Sequence, residues 1–111
     1  MKTKQTKHIT NHYRQGDILL IRVDQIPSGA EKQITGRSIV LGEGETAGHR
    51  HEILETSKVD VYRQAEGLYL DVAEETTLVH PEHAHVALLP GSYQIIRQVE
   101  FQRKDLKIVE D

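Results

Sequence analysis

Histidine is the side chain in this sequence best suited to do chemistry. Seven occur in 111 residues, and five of them, His49, His51, His80, His83 and His85, fall between positions 49 and 85. Neutral imidazole ligates Zn, Fe, Ni, Cu and Mn, and it exchanges protons near neutral pH. Spacing sharpens the point. On a strand, residues i and i+2 share a face about 6.6 Å apart. His49 and His51 can therefore converge on one ion, and so can His83 and His85. His80, across Pro81, can fold back toward the same point. One such pair alone is a common feature of a solvated strand face. Two pairs, one leaving a glycine-rich loop, point to a divalent metal site with His49, His51, His80 and His83 as ligands and His85 as a substitute.

The nearest carboxylates are Glu52 and Glu55. Strand parity puts Glu55 on the face of His49 and His51 and turns Glu52 away, so Glu55 is the better ligand or partner to a ligand. Either is a candidate base for a metal-bound water. The chain has no Cys, so thiolate sites, disulfides and a Cys nucleophile are excluded. Gly42 to Gly48 is no phosphate loop, because it lacks a GK[ST] ending and leads into a strand.

The elements that must position these residues read as short strands. Apolar residues make up 37% and aromatics 5%, so the core must come from Ile, Leu and Val. About eight strands are predicted: 18–23, 38–41, 49–55, 59–63, 68–72, 76–80, 84–89 and 92–101. Turn signals at Gly16-Asp17, Pro27-Ser28-Gly29, Glu66-Gly67 and Pro90-Gly91 separate them. The expectation is a mostly β, single-domain barrel or sandwich spanning 13–103. Residues 1–12 form a flexible basic tail, and 104–111 a tail or short helix. A core this thin suggests a homo-oligomer.

Residues 44–55, GETAGHRHEILE, resemble the first cupin motif, in which a glycine precedes HxH and a glutamate follows. The resemblance implies a double-stranded β-helix in which His49, His51, Glu55 and a later His bind a metal. The second cupin motif has a ligand His after a Pro-Gly turn; here Pro90-Gly91 is followed by Tyr93 and Ile95. The pattern YRQGDILL, GHRHEI, HPEH and LPGSYQIIRQVEF, from Tyr13 to Phe101, also resembles short uncharacterised bacterial proteins, and that likeness implies no function.

Charge bounds the partners. The net charge is −3, yet residues 1–14 carry Lys2, Lys4, Lys7 and Arg14 and no acid. That segment could bring a small molecule or RNA toward an otherwise acidic body, which itself argues against duplex binding. No apolar run is long enough for a signal peptide or a membrane span, so the expectation is a cytoplasmic protein. Three functions stay open. The first is a metal site, catalytic through metal-assisted hydrolysis or cupin-type chemistry. The second is a metal-free ribonuclease using paired histidines as general acid and base, with Arg50, Arg63 or Arg97 facing the phosphorane. The third is a structural or partner-binding subunit without turnover.

Overall fold

The computed structural model describes residues 11–43, 48–65 and 67–98. The basic segment 1–10, the middle of the glycine-rich loop and the predicted C-terminal tail or helix at 104–111 lie outside the described residues.

Ten strands form in chain order, eight of them carrying Ile, Leu or Val. They are β1 (His12–Gln15), β2 (Ile18–Val23), β3 (Glu31–Lys32), β4 (Ile39–Glu43), β5 (Arg50–Ile53), β6 (Val59–Gln64), β7 (Gly67–Val72), β8 (Thr76–Val79), β9 (Val86–Leu88) and β10 (Gly91–Arg97). One sheet has the order β1-β2-β10-β7-β6-β3 and the other β4-β5-β8-β9, and every pairing is antiparallel. The domain is therefore two sheets, and no closed barrel forms among the described residues. The two strands beyond the eight expected are β1, which starts one residue inside the predicted tail, and the two-residue β3.

The core lies between the sheets. Ile18, Leu20, Leu70, Val72, Tyr93 and Ile95 come from the larger sheet, and Ile39, Leu41, Ile53, Leu78 and Leu88 from the smaller. These residues follow the period of two, in which alternate positions of each strand face inward. Tyr93 is fully buried, and its hydroxyl donates to the Leu89 carbonyl at 2.6 Å while accepting from Arg22 at 2.9 Å. Burial, followed by the neighbouring Tyr13, pushes the Tyr93 phenol up to about 12. The Leu89 N–H donates to Tyr13, so both tyrosines pin the larger sheet to the segment leaving β9.

The β1–β2 hairpin decides where the site sits. Gln15 pairs with Ile18, leaving a two-residue turn of Gly16 and Asp17. Gly16 has φ of +59°, and glycine at the first turn position is the mark of a type II′ hairpin. The hairpin brings Gln15 and Asp17 beside the ends of β5 and β8, which belong to the other sheet.

Candidate functional site

Four of the five histidines come together. β5 pairs with β8 so that Glu52 opposes Val79. The next residues, His51 and His80, both face inward, with ring centroids 4.4 Å apart. His49 reaches His80 at 5.8 Å, keeping the shared face that parity predicts. Pro81 breaks β8, and the turn beyond it brings His83 to 4.5 Å from His80 and 5.7 Å from His51. His51 is 4% exposed and His80 7%, while His49 is half-buried and His83 exposed. The cluster thus has a buried floor and an open side. His51 and His83 close over Gly16: a Cβ there would stand 2.8 Å from His83 Nε2 and 3.0 Å from His51 Cε1.

The remaining predicted residues are placed elsewhere. Residues 83 and 85 do not act as a strand pair, because β9 begins only at Val86. His85 is exposed and borders an outer groove of about 310 Å3 with Arg50, Glu52, Leu54 and Pro81. Glu52 accepts a hydrogen bond from Ser38 at 2.7 Å. β5 stops at Ile53, so parity no longer governs Glu55. That carboxylate stands at the head of the 3-10 turn Thr56–Lys58 without capping it, accepting from Thr76 at 2.7 Å and Lys58 at 3.1 Å, which hold it below the usual carboxylate range.

Three residues outside the predicted set complete the site. Gln15 is 2% exposed, and its amide N–H groups donate to the carbonyls of Leu78 at 3.0 Å and Ala84 at 2.9 Å. Those bonds fix the amide, so its oxygen must face His51 Nδ1, 2.8 Å away. His51 therefore carries its proton on Nδ1 and presents a lone pair at Nε2. That lone pair faces Asp17 Oδ1 at 3.3 Å, and the other Asp17 oxygen accepts from Arg97 at 3.0 Å. Glu82 lies 3.5 Å from His49 Nε2. The available signal was the polar Gln15 at an inward strand position, followed by a Gly-Asp turn.

Burial and the neighbouring imidazoles favour the neutral form of the two central histidines. Burial, then the neighbouring His80, lowers the His51 pKa from its ordinary 6.5 despite the opposing pull of Asp17. Desolvation, then His83 and His49, lowers that of His80. Burial pushes Asp17 up, but the Arg97 hydrogen bond and charge outweigh it, and its pKa falls below 3.8. Among the described residues, no three His, Asp or Glu side chains already converge as a ready metal-holding group. The arrangement offers imidazole and carboxylate donors side by side, buried at His51 and His80 and exposed at His83.

The family model described as Domain of unknown function (DUF8820) matches residues 14–98. The chain belongs to that family. The DUF8820 match takes in Gln15, Asp17 and all five clustered histidine positions from 49 to 85. Neither a curated protein nor a solved structure matches the chain. Among the described residues, no helix is long and apolar enough to cross a membrane.

Proposed function

We propose that this DUF8820 domain binds one divalent transition-metal ion at the corner formed by His51 and Asp17. The observation that carries the reading is the Gln15 lock on His51. A metal-binding imidazole characteristically donates its second N–H to an oxygen acceptor, which fixes the ring and its tautomer. Here that arrangement is in place. Nε2 and Asp17 Oδ1 are then two acceptors facing each other at 3.3 Å, a geometry that a cation between or beside them relieves. His83, its ring 5.7 Å from His51, and His49, its ring 5.8 Å from His80, would supply the further donors. The donor set suits Zn, Fe, Ni or Mn. With three protein donors the ion keeps an open position, where it would activate water for hydrolysis.

The test is elemental analysis and metal titration of the full chain. Near-stoichiometric metal is expected, with loss in His51→Ala and Asp17→Asn variants whose circular dichroism matches the parent. A parent that takes up none, or variants that keep it, would overturn the proposal.

A second reading has its own support. His80 Nδ1 accepts the Glu82 N–H at 3.0 Å, so His80 is an Nε2–H donor beside the His51 acceptor. That is the complementary pair that general acid–base cleavage of RNA needs. It predicts cleavage of an RNA panel that persists in chelator; inactivity across the panel removes it.

A further inference from the structure

Strand register sorts the outer face of the larger sheet into rows. At the Gly16-Asp17 end, Arg14 stands beside Leu19, and Leu19 beside Ile96. The middle row runs through Ile21, Gln94 and Tyr69. At the far end Asp71 and Asp60 lie side by side. Leu19, Ile21, Ile96 and Tyr69 are only half-buried, so the centre of this face keeps apolar surface in contact with water. A hollow of about 320 Å3 opens there, between Leu19, Ile21 and the flanking His12 and Arg14. The charges stand at opposite ends. Arg14 donates to the Gln98 side chain and, at 3.4 Å, to the Gly16 carbonyl, and it meets no carboxylate among the described residues. Asp60 and Asp71 are direct cross-strand partners, a placement in which like charges repel. Lys32 reaches Asp60 at 3.5 Å, but no cationic side chain pairs with Asp71 among the described residues.

We propose that this face docks a second copy of the chain across a two-fold axis, with Arg14 of each protomer against Asp71 of its partner. In a two-fold interface every contact occurs twice, so a face with a basic end and an acidic end is complementary to itself. Arg14 and Asp71 are three strands apart across the sheet and four residues apart along it, roughly 20 Å at ~4.8 Å per strand and ~3.3 Å per residue. Gln94 lies near the midpoint. A two-fold axis in the plane of contact, passing near Gln94, brings each charge over its opposite in the partner. The half-buried apolar centre is then covered, and release of its water drives association. The ion pairs fix the orientation, because a mate turned the other way would set Asp71 against Asp71. The arriving guanidinium also relieves the repulsion between Asp60 and Asp71. Gln15, which holds His51, points to the opposite side of the sheet from Arg14, so docking here is independent of the histidine cluster and of any metal.

The experiment measures the mass of the full chain by sedimentation equilibrium in chelator, at low and at high salt. A dimer is expected, with a dissociation constant that rises as salt screens the ion pairs. Arg14→Glu and Asp71→Lys each set like charges together twice per dimer, and each should weaken association at least about tenfold. An equimolar mixture of the two variants should regain the dimer, because the mixed pair carries opposite charges at both contacts. Circular dichroism confirms that the variants fold. Should either not fold, Arg14→Gln and Asp71→Asn, closer in shape to the parent residues, replace them and should weaken association several-fold. A parent that is monomeric at high micromolar concentration overturns the proposal whatever the variants do. A dimer indifferent to salt and to both substitutions overturns it, as does a mixture of the charge-reversed variants that stays monomeric. A dimer broken instead by Leu54→Glu belongs to the exposed face of the smaller sheet and overturns it too.

Discussion

Replacing Gln15 with alanine tests the physical basis of the site most directly. Gln15 makes three buried or partly buried hydrogen bonds, to Leu78, Ala84 and His51. Each is worth about 1 kcal/mol net, and leaving a buried partner unsatisfied costs about 1–3 kcal/mol. The loss should therefore total roughly 3 kcal/mol, partly offset where water enters the space. For a domain of this size, 1 kcal/mol moves the melting temperature by about 4–8 °C, so a fall of roughly 12–24 °C is expected. Urea unfolding followed by far-ultraviolet circular dichroism measures the free energy. Nitrogen-15 NMR of His51 measures the second consequence: freed from Gln15, the ring should no longer hold its proton on Nδ1 alone. A loss under about 1 kcal/mol with the His51 tautomer unchanged would refute the reasoning, because something other than Gln15 would then orient the ring.

Further predictions come from single features. Gly16→Ala forces a β-carbon into His83 and His51 at a positive φ, so it should cost about 2 kcal/mol or more by urea midpoint and reduce metal uptake; an unchanged midpoint would deny the close packing. Ala65 sits at φ of 53° in the β6–β7 connection, and Ala65→Gly should stabilise the fold by about 0.5 kcal/mol, the relieved strain exceeding the added unfolded-state entropy; a lower melting temperature would contradict this. Stability should also fall on acidification in two windows. His51 and His80 have folded pKa values below 6.5, so they contribute stability that is present above 6.5 and lost as pH falls through their folded values. Asp17 contributes above its unfolded value near 3.8 and is lost only as pH drops through its lower folded value. Urea midpoints between pH 8 and 3 measure this, and His51→Gln should flatten the upper window; a midpoint independent of pH from 8 to 5 would exclude neutral buried histidines.

How far the site was legible depends on where strand parity holds. His49 and His51 flank and enter β5, so the period of two put them on one face correctly. It failed at Glu55 because β5 ends at Ile53, and at His85 because residues 81–83 form bends and 84–85 are irregular ahead of β9. Whether a strand continues for two more residues depends on its neighbours' hydrogen bonds, which local sequence does not display. Asp17 and Gln15 were harder still. They lie over 30 residues before His49, and only the packing of the β1–β2 hairpin against the second sheet brings them to it. The other eight strands were readable from their apolar residues; β1 and β3 were not, β1 being polar and β3 only two polar residues long.

Because Gln15 and Asp17 belong to one sheet and the histidines to the other, any guest held between them bridges the two layers of the fold. Opening the sandwich would then require releasing the guest. Occupancy and folding are thermodynamically linked: a ligand at 100 times its dissociation constant adds about 2.7 kcal/mol. The unfolding temperature of the intact domain thus becomes a reporter for whatever the cleft accepts. Slowed amide exchange should spread beyond the ligand's neighbours, along β1, β2, β5 and β8 alike.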